Sequence, residues 1–497
     1  MRWKPVGLSA MTMLLVVAAN STQGAGVRDS VVRVTSNARF PHPTKPWTKR
    51  EAVANAGSGV VIDGNRILTC AHVVAYATRI QVRGEDDTEA VNARLKAVDF
   101  GHDLALLEVE EPAFFEKHKP LRRGKGYPSQ ELAVEAYGYP EGGQNLAVTR
   151  GIISRIEASD PSEGIWIQVD AAINPGSSGG PIVFFGQLLG LIRARGNPDQ
   201  AENVGMVVAL PQIEAFLLDA EDGVIDERPR VGFHTQAIDN PAARERLGIG
   251  KEIKGVMISC LDVNGPHDFL KPDDVLTKVG DYDLDNEGMV RLDRGFRAPF
   301  ESVFTMQPGS VKSLGVEIIR DKAKQKVEVP LTRGGRLFPS FDGQKARSYL
   351  VYGPLVFSKA YSDLRQFALR ARADLMGMHT PLSSRLLDSA ALGEELVIIT
   401  SPLLPHEINR GYVPEDAFGR VVEEIDGVRI KNFAHLVETL RDGTSPYVCI
   451  RTAEHPPLQL VYRRDQIREA TDRVLEENDI PKPMSADIEE IWNAKAK

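Results

Sequence analysis

A glycine-rich segment surrounds Ser178 and has the composition of a loop that carries a nucleophile. Residues 170–181 read Asp-Ala-Ala-Ile-Asn-Pro-Gly-Ser-Ser-Gly-Gly-Pro. Glycines permit sharp turns that bring backbone amides to one point, and a tetrahedral acyl intermediate needs such N–H donors for its negative oxygen. We therefore predict Ser178 as the nucleophile and the amides of Gly176 and Ser178 as an oxyanion hole. The alternative is a Gly/Ser-rich turn without chemistry.

His72 and Asp103 are the candidate partners of Ser178, because a serine is a weak nucleophile and needs an adjacent base. His72 ends a predicted strand in the segment Ile-Leu-Thr-Cys-Ala-His-Val-Val. An acid just before an apolar strand can be buried against the imidazole and orient it. Asp99 and His102 are close alternatives in the sequence, and we prefer Asp103 because it directly precedes the run Leu-Ala-Leu-Leu.

The chain order of these residues indicates a class of fold. They follow one another as His, Asp and Ser, at intervals of 31 and 75 residues. This is one of three common orders for such a triad, and it is the order of proteases with two β-barrels. From Val27 to about Asp219, short β-branched and apolar runs alternate with Gly, Asn, Asp and Pro, which predicts a barrel or a sandwich.

The length of the chain and its linker-like stretches predict about three domains. Its 497 residues are too many for one hydrophobic core, since domains of about 150 residues are common. Polar or glycine-rich stretches at 221–230 and 334–348 are predicted linkers. The predicted divisions are a signal peptide at 1–25, the β domain at 27–220, two further modules at 230–334 and 349–465, and a charged tail at 466–497.

The first residues have the three-part layout of a secretory signal peptide. Two cations, Arg2 and Lys4, precede an apolar run from Val6 to Ala19, and small residues follow. The run is shorter than the about 20 residues of a membrane span, so cleavage is favoured over an uncleaved anchor. A transit peptide would contain more Arg and Ser. We expect export to a periplasm or the extracellular space, without a stable membrane span.

The composition argues against several function classes. The formal net charge is −8, so the chain lacks the basic excess that binding to nucleic acid or to anionic membranes requires. The sequence has no His-Glu-x-x-His or phosphate-binding glycine motif, and we expect neither a metal nor a cofactor. Cys70, Cys260 and Cys449 fall in three different predicted domains, so a disulfide framework is not expected. Cys70 is predicted to be a small buried side chain.

Three blocks of the sequence resemble the HtrA/Deg proteases. They are Thr-x-Ala-His-Val-Val at 69–74, Asp-Leu-Ala-Leu-Leu at 103–107 and Asp-Ala-Ala-Ile-Asn-Pro-Gly-x-Ser-Gly-Gly-Pro at 170–181. The resemblance covers nearly the whole chain after the signal peptide. It implies a mainly β protein with α/β modules, in which a trypsin-like double β-barrel is followed by two PDZ-like domains. It also implies an ATP-independent serine endopeptidase that assembles as a homotrimer or a multiple of trimers.

The Pro46-Trp47 pair and the unusual third unit look most like the plant Deg type, which has a divergent second PDZ domain. The aromatic segment 40–47 is a candidate trimer contact, because exposed aromatic residues often mark interfaces. Two features depart from the family. Ser177 stands where many members have Asn, and Arg193 and Arg195 stand where small or polar residues are usual.

The start of the first module has the residues of a PDZ carboxylate loop. A PDZ domain adds a peptide C-terminus as a strand and holds its carboxylate with backbone amides. Val231, Gly232 and Phe233 place a glycine between two apolar residues, directly after the basic Arg230. We predict that peptide C-termini bind there. In the third unit Pro354 removes an amide donor, so that unit is predicted to be an assembly or docking module.

The substrate pocket is predicted to be apolar. In double-barrel proteases its base lies six residues before the nucleophile, which is Ala172 here. A buried Lys or Arg would be unpaired there, so cleavage after Val, Ala or Leu is expected. Ile192, Arg193 and Ala194, on the strand after the nucleophile, are further predicted substrate-binding residues. Arg193 and Arg195 either favour acidic substrate residues or face solvent, and the sequence does not separate these two alternatives.

The predicted function is the digestion of unfolded or damaged proteins through a Ser-His-Asp acyl-enzyme mechanism, as a form of protein quality control. Two alternatives remain open. One is a regulatory protease that cuts one signalling protein after PDZ recognition. The other is a chaperone or PDZ adaptor in which proteolysis is secondary, although three intact triad residues argue against a vestigial site.

Overall fold

The described part of the chain forms two compact units. The computed structural model describes residues 26–140, 143–158, 164–193, 205–223, 225–333, 337–339, 347–385, 390–391 and 393–494. The predicted signal peptide and Ala194 lie outside these ranges. The first unit contains the described residues within Met1–Ala38, Val53–Leu261 and Pro266–Gly334, and the second those within Arg39–Ala52, Asp262–Gly265 and Gly335–Lys497.

The first unit begins with a closed barrel of antiparallel strands in the order β1-β2-β3-β6-β5-β4. The strands are Val31–Ala38 (β1), Val53–Ile62 (β2), Arg66–Thr69 (β3), Ala77–Arg83 (β4), Val91–Asp99 (β5) and Leu104–Val109 (β6). One-turn helices follow β3 and β6, at Ala71–Val74 (α1) and Phe114–Lys117 (α2). Alternate residues of β1 from Val32 to Ala38 are buried, because successive side chains of a strand point to opposite faces.

A second barrel follows, in the sheet order β11-β8-β9-β10-β13-β12-β7, and an additional pairing of β11 with β12 closes it. Its strands are Arg122–Arg123 (β7), Ala133–Gly138 (β8), Ala147–Glu157 (β9), Trp166–Val169 (β10), Pro181–Phe184 (β11), Gln187–Arg193 (β12) and Gly205–Ala209 (β13). Helix α3, Leu210–Asp219, packs its apolar side into the core, where Ile213 and Phe216 are buried. The predicted pair of β-barrels is confirmed.

The module predicted at 230–334 belongs to the same unit as the barrels. Its main sheet has the order β15-β16-β17-β21-β22. Its strands are Pro229–Arg230 (β14), Phe233–Ala237 (β15), Val256–Leu261 (β16), Val275–Val279 (β17), Tyr282–Asp283 (β18), Met289–Arg291 (β19), Arg297–Pro299 (β20), Ser313–Arg320 (β21), Ala323–Pro330 (β22) and Thr332–Arg333 (β23). Its helices are Pro241–Leu247 (α4) and Glu301–Thr305 (α5), with a 3-10 turn at Asp293–Gly295.

The module shares a hydrophobic core with the second barrel. Buried residues of both, including Ile167 of the barrel and Phe300 of the module, form one contiguous cluster. The Tyr127 hydroxyl of the barrel domain contacts the Met306 sulfur at 2.9 Å, and its ring lies 6.2 Å from that of Phe296. Apolar packing, in addition to the linker, therefore joins the module to the barrels.

The second unit combines two small sheets with several helices. The sheets have the orders β24-β25-β26 and β28-β27-β29-β30, and a bridge between Ile398 and Val421 links them. The strands are Tyr349–Tyr352 (β24), Leu355–Lys359 (β25), Val397–Ile399 (β26), Val422–Ile425 (β27), Val428–Arg429 (β28), Tyr447–Thr452 (β29) and Gln459–Arg463 (β30). The helices are Ser362–Ala371 (α6), Asp374–Gly377 (α7), Pro381–Ser384 (α8), Pro414–Ala417 (α9), Phe433–Asp442 (α10), Arg464–Glu477 (α11) and Ala486–Asn493 (α12), with a 3-10 turn at Glu407–Asn409.

The charged tail predicted at 466–497 contributes to the core of this unit. Ile467 and Val474 on α11 and Ile488 on α12 are buried, although most of their neighbours are charged and exposed. Apolar residues at helical spacing produce this one-sided burial. None of the helices in the described ranges is both long and apolar enough to cross a membrane.

The aromatic segment proposed as a trimer contact packs within the second unit. Trp47 is half-buried, and its ring lies 5.7 Å from that of Tyr349. Pro46 beside it is buried. Trp47 is therefore less exposed than the prediction assumed, because Tyr349, about 300 residues away in the sequence, covers part of its ring.

Candidate active site

His72 and Asp103 lie together at one end of the first barrel because their strands pair. In the antiparallel pairing of β3 and β6, Thr69 is opposite Ala105. The residues that follow β3 and those that precede β6 must then meet at the same edge. His72 lies on α1, directly after β3, and Asp103 directly precedes β6.

Three hydrogen bonds join the two segments. The Asp103 carbonyl accepts from the Ala71 amide at 3.0 Å, and its Oδ1 accepts from the His72 amide at 2.8 Å. Oδ2 lies 2.7 Å from His72 Nδ1. This is the geometry in which a carboxylate keeps the proton on Nδ1 and leaves Nε2 as the base.

The Asp103 backbone is in the left-handed region, with φ of 59°. Such a conformation is unfavourable for a residue with a Cβ and persists where surrounding contacts impose it. The Asp103 side chain is only 7% exposed, whereas that of His72 is 47% exposed. The buried acid therefore orients an imidazole that solvent and substrate can reach.

The two alternative residues near Asp103 form a separate cluster. His102 Nδ1 lies 2.9 Å from Asp99 Oδ2, and the same oxygen accepts from Arg228 Nη2 at 2.7 Å. His102 is buried. Asp99 thus supports the loop before Asp103 rather than the imidazole of His72.

The loop that carries Ser178 is attached to the first barrel through Ser58. The Ser178 carbonyl accepts from the Ser58 amide at 2.7 Å, and the Gly176 carbonyl accepts from the Ser58 hydroxyl at 2.9 Å. The Gly179 amide in turn donates to the Ile192 carbonyl on β12 at 2.8 Å. The loop is therefore fixed between the two barrels, next to the segment that carries His72.

Two glycines after Ser178 are required by close backbone approach. A Cβ on Gly179 would lie 2.1 Å from the Ser58 carbonyl oxygen and 2.5 Å from the Thr69 hydroxyl oxygen. A Cβ on Gly180 would lie 2.0 Å from the Tyr137 carbonyl oxygen. No side chain fits at such distances, which explains the pair of glycines that the sequence motif contains.

The predicted oxyanion-hole residues lie in the same turn. Gly176 has a φ of 92°, which favours glycine. Within the described ranges the Gly176 amide has no hydrogen-bond acceptor, so it can donate to a substrate oxygen. Gly176 and Ser178 are both buried at the bottom of the cleft.

A small cavity beside this loop is lined by apolar and uncharged polar side chains, and the residues predicted for the substrate pocket are among them. Ala172 and Ile192 line it, together with Tyr137, Thr149 and Ile173 among others. Its described lining residues carry no ionised side chain. Ala172 is exposed and Ile192 is buried.

The position of Arg193 differs from both alternatives that the sequence left open, which were contact with acidic substrate residues and exposure to solvent. Its Nε lies 3.1 Å from Asp103 Oδ2, and its side chain is only 16% exposed. Its guanidinium carbon lies 4.7 Å from the centre of the Trp166 ring, in a cation–π arrangement. The sequence signal that could have identified it is a charged residue directly after the buried run Leu188–Ile192.

Cys70 is buried, as predicted, and completes the surroundings of the carboxylate. Its sulfur lies 3.2 Å from the Ile192 carbonyl oxygen. Cys70, His72 and Asp103 offer ligand atoms within 4.8 Å of one another, which is a possible metal-ligand set. Burial raises the pKa of the Cys70 thiol well above its usual value, and a neutral thiol is a poor metal ligand.

The predicted carboxylate loop lies at the beginning of the module's sheet. Arg230 pairs with Thr332 in a short antiparallel ribbon, and Gly232 has a φ of 73°. Phe233 starts β15 and is buried, with its ring 6.0 Å from that of Phe300. β15 is an edge strand, since it pairs only with β16 among the described strands.

Comparisons with known proteins agree with the two kinds of domain. A trypsin-like peptidase domain model matches residues 57–191, and a PDZ domain model matches residues 339–487. The chain is 30% identical to protease Do-like 2, chloroplastic, of Arabidopsis thaliana over 478 residues, which cover 94% of this chain and 76% of that protein. It is 28% identical to protease Do-like 4, mitochondrial, of the same plant, over 91% of this chain and 84% of the relative.

A solved structure, the HtrA-type protease AlgW with tripeptide, is 22% identical, covers 63% of this chain and 97% of its own, and has a TM-score of 0.49. The PDZ match falls on the unit for which the sequence predicted a divergent domain. A trypsin-like double β-barrel with a PDZ domain is thus confirmed.

Proposed function

The chain belongs to the Do-like, or HtrA/Deg, family of serine proteases, and from this premise we propose that it digests unfolded or damaged proteins without ATP. Serine endopeptidase activity follows from the family. The observation that carries the assignment of residues is the buried Asp103 carboxylate 2.7 Å from His72 Nδ1, beside a glycine loop that presents Ser178.

In the proposed mechanism Ser178 Oγ attacks the scissile carbonyl while His72 Nε2 accepts its proton. Asp103 holds the proton on Nδ1 and stabilises the imidazolium that forms. The amides of Gly176 and Ser178 donate to the oxyanion. His72 then passes the proton to the leaving amine, and water releases the acyl group by the same steps in reverse.

The proposed specificity comes from the small cavity that Ala172 and Ile192 line. No carboxylate lies among its described lining residues, so a Lys or Arg side chain of the substrate would be desolvated without a partner. Short aliphatic side chains are the proposed occupants of this cavity. Discrimination among them is expected to be modest, since one methylene changes binding by only about 1–3 kcal/mol.

The module 230–334 is proposed as a first PDZ domain, in addition to the PDZ domain at 339–487. The open edge of β15 supports strand addition, and Arg230, Val231, Gly232 and Phe233 are proposed to hold a peptide carboxylate. A regulatory protease that recognises one partner through this module is the second candidate function, favoured by the same open edge. A chaperone or adaptor role is the third, with proteolysis secondary.

Export is proposed from the composition of residues 1–25, which fits a signal peptide for a periplasmic or extracellular protein. Unfolded polypeptides and peptide C-termini are the proposed partners.

The experiment that tests the function is digestion of casein, an unfolded substrate, beside a folded protein of similar size. Casein is expected to be degraded without ATP, whereas the folded control remains intact, because an extended backbone is needed in the cleft. Mass spectrometry is expected to place most cuts after Val, Ala or Leu. Cuts mainly after Lys or Arg would contradict the apolar pocket at Ala172, and a folded control cut at one site would favour the regulatory alternative.

We expect the protein to form a trimer or a multiple of trimers in solution, as its family resemblance implies. In the segment proposed as a contact, Trp47 is half-buried because Tyr349 covers part of its ring. Light scattering at micromolar concentration measures the assembly, and a monomer there would overturn this expectation.

A further inference from the structure

We propose that Arg193 is a positioning residue for the reaction, which holds the Asp103 carboxylate in place and extends peptidase activity to more acidic pH by opposing a positive charge on His72. The inference rests on the proposed triad. It assigns Arg193 a role that neither a substrate contact nor a solvent-facing side chain would have.

The geometry places the Arg193 guanidinium and the His72 imidazole on one carboxylate oxygen. Asp103 Oδ2 lies 3.1 Å from Arg193 Nε and 2.7 Å from His72 Nδ1. Because Arg193 Nε and His72 Nδ1 contact the same oxygen, the guanidinium and the imidazole lie close to each other. The other oxygen, Oδ1, accepts from the His72 amide. The carboxylate is therefore held at both oxygens, and rotation about its own axis would break at least two contacts.

Arg193 is itself fixed on both sides. Its guanidinium lies over Trp166, a side chain that is buried in the second barrel. Its backbone continues β12, where Ile192 donates to the Gly180 carbonyl and accepts from the Gly179 amide, both at 2.8 Å. Arg193 thus couples the acid of the first barrel to the strand that supports the Ser178 loop in the second.

The charges predict a functional consequence. A buried carboxylate favours the protonated form of a neighbouring imidazole, and that form cannot act as a base. A second cation on the same carboxylate acts in the opposite direction, because it repels a positive charge on the imidazole and already offsets the negative charge of the carboxylate. With Arg193 present, the enzyme is therefore expected to remain active at lower pH than without it.

Replacing Arg193 is not expected to change the charge of the other ionisable groups around the acid, since loss of the guanidinium would only raise the pKa of the Cys70 thiol further. Cys70 faces Asp103 from the residue before α1, and burial raises the pKa of its thiol, so it stays neutral at the pH of the assay. Asp99, His102 and Arg228 form the neighbouring cluster on the loop before Asp103. A difference between Arg193 variants therefore reports the guanidinium itself.

The test is the pH dependence of kcat/KM on a quenched fluorescent peptide for the full chain and for Arg193→Met, Arg193→Gln and Arg193→Lys. The acid limb is expected to move to higher pH by about one unit in the Met and Gln variants, which lack the charge. The acid limb of the Lys variant is expected to coincide with that of the parent, because lysine keeps the charge although it loses the planar stacking on Trp166.

Arg94→Met is the matched control, because it removes the same charge from the first barrel, where the Arg94 side chain is 71% exposed and pairs with Glu108. Its profile is expected to coincide with that of the parent. Thermal melting and labelling by a fluorophosphonate show that each variant is folded, and if the Met variant fails to fold, the comparison of Gln with Lys decides.

The proposal is overturned if the acid limb of the Gln variant coincides with that of the parent, or if the Lys variant moves as far as the Gln variant. The first result would show that the charge has no effect on the base, and the second that packing rather than charge matters. A parent protein that neither cleaves the peptide nor labels overturns the proposed triad, and this inference with it.

Discussion

The Ser178→Ala variant is expected to lose peptidase activity by on the order of a million-fold in kcat, with its fold intact. Ser178 is the proposed nucleophile, and its hydroxyl is the group that would form the acyl-enzyme. The loop itself is held by backbone contacts, through the Ser178 carbonyl and the Ser58 amide, which alanine retains.

The measurement is cleavage of a quenched peptide together with fluorophosphonate labelling, and thermal melting tests the fold. Ser177→Ala is the matched control, since it removes the neighbouring hydroxyl from the same loop. It is expected to keep its label and to lose less than about tenfold in rate, because the buried Ser177 hydroxyl lies beside the proposed nucleophile without a part in acyl transfer. A labelled and active Ser178→Ala variant would show that the nucleophile lies elsewhere.

Replacement of Asp103 by asparagine is expected to lower kcat about ten-thousand-fold near neutral pH. The carboxylate faces three donors: the His72 amide, the ring Nδ1 of His72 and Arg193 Nε. An asparagine amide can accept on one side only. Its NH₂ group would face either the His72 amide or both His72 Nδ1 and Arg193. In the second orientation Nδ1 must accept a hydrogen bond, so the imidazole proton moves to Nε2 and that nitrogen can no longer act as the base.

Asp99→Asn is the control for this variant, because Asp99 is the alternative acid in the sequence. Asp99 contacts His102 and Arg228, so its replacement is expected to lower the melting temperature more than the rate. The pH–rate profiles and melting curves of both variants are compared. If Asp99→Asn lost as much activity as Asp103→Asn, the acid would have to be reassigned.

The residues proposed to react could be selected from the sequence because their chemistry places requirements on their immediate neighbours in the chain. Glycines at 176, 179 and 180 are required by turns and by contacts under 3 Å, and such requirements leave a motif that can be read in the chain. The position of Asp103 before an apolar strand was sufficient to prefer it over Asp99. The double barrel was predictable from short strands and from the His, Asp, Ser order.

The packing of modules was not predictable in this way. The sequence marks a linker before residue 230, yet Phe300 belongs to the same core cluster as Ile167 of the second barrel. Similarly, Trp47 was predicted to be exposed and packs on Tyr349. The hydrophobic effect is non-directional, so an apolar pattern predicts that a face is buried but not which segment packs against it.

The sequence by itself determined the family, the chemistry and the order of the elements, since motifs, turns and strand periodicity are properties of neighbouring residues. Only the tertiary structure decided what surrounds Asp103. Arg193 follows Asp103 by 90 residues and reaches it because β12 ends beside the edge where β3 and β6 pair. An ion pair between the two barrels depends on how the barrels pack against each other, and the residue pattern within a single strand does not predict that packing.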